Sequence, residues 1–128
     1  MSSILVAEDE RCLSELMQEA LEMHGHTVRT FGTAAEAWDH ARASNEPFDL
    51  LITDARMPGD MDGFDLAELV HRRFPEIPII LSSGYCDSAR SASNCFSDLL
   101  PKPWSLDNFV ATCERSLRTA HCHASTAG

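Results

Sequence analysis

Two hydrophobic rhythms take turns along this chain. Ile4-Leu5-Val6-Ala7 is a continuous apolar run that breaks off at Glu8-Asp9-Glu10, the pattern of a short strand buried on both faces. Leu13, Leu16, Met17, Ala20 and Leu21 then recur at helical spacing, and Gly25 stands where a left-handed turn ends such a helix. His26 to Phe31 supplies a weaker second strand. Thr33-Ala34-Ala35-Glu36 forms a capping box, and Ala34, Ala37, Trp38 and Ala41 are the apolar stripe of a second helix. Phe48 to Thr53 reads as a third buried strand. Phe64, Ala67, Val70 and Phe74 mark a third helix that Pro75 terminates. Ile79-Ile80-Leu81 is a fourth strand and Leu99-Leu100 a short fifth. Ser105 with Asn108 opens a last helix bearing Leu106, Phe109, Val110, Cys113 and Leu117 on one face.

Between the fourth and fifth strands, Cys86 to Ser97 is rich in serine and carries Asp87 and Asn94, side chains that compete for backbone hydrogen bonds. Only Ala89, Ala92, Cys95 and Phe96 offer an apolar stripe there, so the pattern predicts a short or irregular fourth helix. The overall alternation implies an α/β fold, a doubly wound parallel sheet with helices on both faces and right-handed crossovers.

Composition narrows the picture without changing it. At 128 residues the chain is about one domain long, and 44% hydrophobic content with no apolar run near the roughly 18 residues of a membrane span reads as a globular protein. The expected domain covers residues 1–119, with 120–128 a polar, disordered tail; the absence of a basic or apolar leader leads us to expect a cytoplasmic location and no membrane association. Five cysteines at irregular spacings read as reduced thiols, with Cys12 and Cys113 small core or boundary residues. A net charge of −10 with no basic cluster argues against direct nucleic-acid binding.

In doubly wound sheets, ligands bind beyond the carboxyl ends of the strands, near the point where strand order reverses. Glu8, Asp9 and Glu10 follow the first run, Asp54 the third, Ser82 and Ser83 the fourth, and Lys102 the fifth, so all converge on one edge. Several carboxylates together call for a hard cation with oxygen ligands, and magnesium fits best, with manganese as the alternative. Lys102 and a serine hydroxyl can then bind the oxygens of a phosphoryl group. Each residue alone has an ordinary explanation: acidic residues at a helix start, a turn aspartate, a solvated lysine, small turn serines. Their shared position at strand ends is what separate ordinary causes do not explain.

At these residues the sequence resembles the receiver domain of bacterial response regulators and hybrid histidine kinases. The resemblance runs from about Ile4 to Leu117 and rests on Ile4-Leu5-Val6-Ala7-Glu8-Asp9-Glu10, Asp49 to Pro58 around Asp54, Met61-Asp62-Gly63, Pro78 to Tyr85, and Leu100-Pro101-Lys102-Pro103-Trp104. It implies a flavodoxin-like five-stranded sheet of order 2-1-3-4-5 with Asp54 as phosphoacceptor for a histidine kinase or histidine phosphotransfer protein. By the same resemblance, magnesium is held by Asp9, Asp54 and the backbone carbonyl of Arg56, with Glu8 acting through metal-bound water. Ser83 matches the switch hydroxyl, Lys102 contacts the phosphoryl group, and the Lys102-Pro103 bond is cis. Arg56 and Tyr85 flank the attacking water.

This sequence departs from the family pattern at an inserted Asp60, at Trp104 in place of the usual phenylalanine, and at Leu99 where an aromatic switch residue often stands. The function expected is a phosphorylatable module without an output domain, switching contacts with an unknown downstream protein and not turning over a substrate. A receiver excised from a hybrid kinase is the variant reading. A small magnesium-dependent phosphatase or a flavin binder would share the architecture, but no glycine-rich phosphate loop follows the first strand. His121-Cys122-His123 could bind a metal, although its polar surroundings favour a plain tail.

Overall fold

The five apolar runs become five parallel strands, and four helices lie among them in the computed structural model, which describes residues 2–43, 47–83 and 98–127, with side chains through residue 119. In chain order these are β1 (Ser3–Ala7), α1 (Arg11–Glu22), β2 (Thr27–Phe31), α2 (Ala34–Ala43), β3 (Leu50–Asp54), α3 (Gly63–Arg73), β4 (Ile79–Ser83), β5 (Asp98–Pro101) and α4 (Leu106–Ala127). The sheet order is β2-β1-β3-β4-β5, the flavodoxin-like order expected. Every adjacent pair is parallel.

The strands read as unbroken apolar runs because neighbouring residues are buried on opposite faces. Leu5, Ala7 and Leu51 pack with Ala34, Ala37 and Ala41 of α2 and with Leu66, Ala67 and Val70 of α3. Ile4, Val6, Ile52 and Ile80 pack on the other side with Met17 and Leu21 of α1 and with Phe109 and Cys113 of α4. Burying each large aliphatic side chain contributes about 1.5–3 kcal/mol.

Local signals are met at atomic level. Gly25 adopts φ +88° after α1, a left-handed conformation that costs glycine nothing, while the amides of Gly25 and His26 donate to the carbonyls of Glu22 and Leu21. Thr33 Oγ1 accepts the Glu36 amide at 3.1 Å, but the Glu36 carboxylate accepts the Thr33 hydroxyl at 3.0 Å in place of the Thr33 amide, so the expected capping box forms by half. The Ser105 hydroxyl accepts the Asn108 amide at 3.1 Å at the start of α4. Strand ends fall a residue or two from their expected places, so β3 and β4 run on through Asp54 and Ser83.

Two expectations are revised. The backbone is helical through Ala127, which takes in residues 120–127 of the segment expected to be a polar, disordered tail. The apolar stripe stops at Leu117, but from Leu106 onward no proline or glycine interrupts the chain before Gly128, and an established helix extends at little cost where nothing breaks it. Cys12, placed by its helical pattern near the core, is exposed on α1, whereas Cys113 is buried in α4. The short or irregular helix expected over Cys86–Ser97, and Tyr85 before it, lie outside the described residues.

Candidate functional site

The strand order reverses between β1 and β3, and the carboxyl ends of these two strands carry the acidic residues. Glu8 leaves β1 with its amide donated to the Phe31 carbonyl at 3.0 Å, and its carboxylate folds back to accept the Glu10 amide at 3.0 Å. It is buried, at 3% exposure, and Asp54 at the end of β3 is nearly so at 8%. Asp9 and Glu10 are exposed. Glu8, Asp9 and Asp54 each bring one carboxylate oxygen within 4.8 Å of the others. Glu10 is the N-cap of α1 but makes no side-chain cap hydrogen bond, and no acidic residue sits in the first turn of α1. Glu10 therefore does not cap α1 through its side chain.

Lys102 answers these charges from the loop after β5. Its Nζ lies 3.0 Å from Asp54 Oδ2 and 4.0 Å from Glu8 Oε1. Its backbone amide donates to the Ser83 carbonyl at 2.8 Å, which ties the loop to the end of β4, and the Lys102-Pro103 bond is cis as expected.

The cluster shifts its own titration. Burial pushes the Glu8 carboxyl up to about 7; the Glu10 amide opposes this, Asp54 reinforces it, and Lys102 opposes it again. Burial pulls Lys102 down, but its hydrogen bond to Asp54 and the charges of Asp54, Glu8 and Glu10 outweigh that, so its pKa is raised. On α4, burial first, then Glu114 and Asp98, push the Cys113 thiol up to about 12, which makes it unreactive.

The other expected residues fall as follows. Ser83 is buried at the end of β4, and Ser82, its neighbour, is the register partner of Asp54. Arg56 has an exposed side chain, and its amide points back at Asp54 Oδ1 at 3.5 Å. Leu99 is 37% exposed on β5 opposite Leu81. The structure thus brings Glu8, Asp9, Asp54 and Lys102 together, with Ser83 joined to them through the Lys102 amide. The side chains of His121, Cys122 and His123 are not among those described.

Two further residues shape the site. A Cβ added at Gly63 would run into the backbone carbonyl oxygen of Asp54, so this position accepts only glycine without displacement of the β3 end. The Gly63 amide donates to the Ala55 carbonyl at 3.0 Å, and Asp62 and Asp65 close a reciprocal capping box around it at the start of α3. Asp62-Gly63 in the sequence was the available signal. Trp104, which stands where the family usually has phenylalanine, donates its indole N–H to the Ser82 hydroxyl at 3.1 Å.

The family model described as the response regulator receiver domain matches residues 4–114. This chain is a response regulator receiver domain. The receiver is 36% identical over 118 residues to the DNA-binding transcriptional regulator NtrC of Escherichia coli (strain K12), covering 89% of this chain and 24% of NtrC. It is 36% identical over 126 residues to the response regulator receiver protein CpdR of Brucella abortus (strain 2308), covering 94% of this chain and 100% of CpdR. The receiver thus spans about a quarter of the length of the NtrC relatives it matches and the whole of CpdR. Among solved structures, a CheY-like response regulator receiver domain protein from Methanospirillum hungatei JF-1 has a TM-score of 0.86 at 25% identity, covering 96% of this chain and 98% of that one. No described helix of the receiver is long and apolar enough to cross a membrane.

Proposed function

We propose that this receiver domain takes a phosphoryl group from the phosphohistidine of a histidine kinase or histidine phosphotransfer protein onto Asp54, and that the modification changes its contacts with a downstream protein. The observation that carries the reading is the Lys102 ammonium 3.0 Å from Asp54 Oδ2, set against a cluster of carboxylates at the strand-order reversal.

The donor set fits a hard dication, because it is made of carboxylate oxygens within 4.8 Å of one another and contains no nitrogen or sulfur. Asp9, Asp54 and the Arg56 carbonyl would hold magnesium, or manganese, directly. Glu8, whose burial favours its neutral form up to about pH 7, suits a contact through water. When bound, the ion offsets the mutual repulsion of the carboxylates and the charge on the phosphoryl oxygens.

The chain's own residues do the rest. An Asp54 carboxylate oxygen attacks phosphorus in line, the P–N bond breaks, and its electron pair stays with the departing imidazole. An acyl phosphate on Asp54 results. Lys102 transfers its contact from the Asp54 carboxylate to a phosphoryl oxygen, and the Ser83 hydroxyl takes another. Hydrolysis of the acyl phosphate by water then returns the free carboxylate and inorganic phosphate. The domain is consumed and regenerated in this cycle and is not a turnover enzyme. Acetyl phosphate with magnesium is expected to add one phosphoryl group to the chain and none to Asp54→Asn, as read by intact mass. Acid-stable labelling of the variant at the wild-type level would contradict the reading.

A further inference from the structure

We propose that Trp104 is a positioning residue for phosphoryl transfer: its indole N–H, donated to the Ser82 hydroxyl, holds the loop that carries Lys102 in place beside Asp54. The inference rests on Asp54 being the phosphoacceptor. It starts from a shortage of hydrogen bonds. β5 is a four-residue edge strand, and in Pro101-Lys102-Pro103 only Lys102 has a backbone N–H. That donor is spent on the Ser83 carbonyl. Past this point the backbone of the lysine loop has no ladder to follow, yet the lysine side chain is long and must deliver its ammonium to within 3.0 Å of Asp54.

Trp104 supplies the second anchor. Its ring stacks on Phe109 of α4 with centroids 4.9 Å apart, and its N–H reaches Ser82, which is 1% exposed. Lys102 is therefore bracketed by attachments to two consecutive residues of β4. The inner of these, Ser82, is the register partner of Asp54, and its carbonyl accepts the Ala55 amide at 2.8 Å. A phenylalanine would keep the stacking but could not make the bond, and an apolar residue at Ser82 could not receive it. The pair links the lysine loop to the strand end that fixes the nucleophile.

The experiment compares wild type, Trp104→Phe, Ser82→Ala and the double variant. The readouts are the rate of label uptake from acetyl phosphate, magnesium affinity by calorimetry, and the urea midpoint. The wild type is measured first: if it takes no label on Asp54, the phosphoacceptor reading falls, and this inference with it. With label present, each single variant is expected to be slowed roughly 5-fold, the double variant no more than either, and magnesium affinity to be unchanged. A wild-type rate in either folded single variant overturns the inference, as does a double variant whose defect is the product of the two. So does a loss of magnesium affinity in step with the rate, since that marks a site loosened as a whole.

Discussion

The two ends of the same sheet treat charge in opposite ways. At the amino end, polar groups are matched pairwise: Asp49 Oδ2 accepts the Ser3 amide at 2.7 Å, the nearly buried His26 meets Glu114 at 2.7 Å, and the Ser2 amide points at the other ring nitrogen of His26. Since that nitrogen accepts, the one facing Glu114 carries the proton and donates it. At the carboxyl end, three carboxylates crowd together with one ammonium among them, and burial drives Glu8 up to about 7. The first arrangement stabilises the fold. The second works against it, a cost that the proposed binding of a cation and a phosphoryl group would offset. Substitutions at the two ends should therefore separate stability from activity.

The largest effect is expected from Lys102→Ala. Removing the cation that faces both Asp54 and the incoming phosphoryl group should slow label uptake by about 100-fold. Because Lys102 is partly exposed, the urea midpoint should move little; a large fall in stability with activity kept would erase the contrast between the two ends. Next comes His26→Ala, which leaves a Glu114 carboxylate and the Ser2 amide without their partner. It should cost about 1–3 kcal/mol in urea unfolding and leave the phosphorylation rate unchanged. The smallest is Glu8→Gln. In the folded chain Glu8 keeps its proton until about pH 7, whereas unfolded it loses it near 4.5, so between these values the folded state binds more protons and stability falls as pH rises. The variant should flatten that decline and be about 1–2 kcal/mol more stable than wild type at pH 8 without added metal. An equally steep decline in both proteins would mean that Glu8 is not its source.

Much of this was legible along the chain, for physical reasons that differ by element. Ile4 to Ala7 and Ile79 to Leu81 could be read as strands because burial on both faces leaves an unbroken apolar run, and the residues just after such runs had to lie at one edge. Gly25 and the Thr33/Glu36 pair were legible because caps are local. The Gly63 contact was not, since it depends on where the end of β3 passes relative to the start of α3. The Trp104–Ser82 bond joins residues 22 apart that meet only through the β4–β5 pairing. The extent of α4 was missed because amphipathic periodicity reports what faces the core, not how far a helix continues beyond it.

The central claim is that Asp54 carries the phosphoryl group. An acyl phosphate, unlike a phosphoester or a free carboxylate, is reduced by borohydride, which leaves homoserine in place of aspartate. After treatment with acetyl phosphate and magnesium, reduction and peptide mapping, homoserine is expected at position 54 and at no other aspartate, Asp9 included. Homoserine at Asp9 with Asp54 intact, or phosphate recovered on a serine or histidine, would contradict the account.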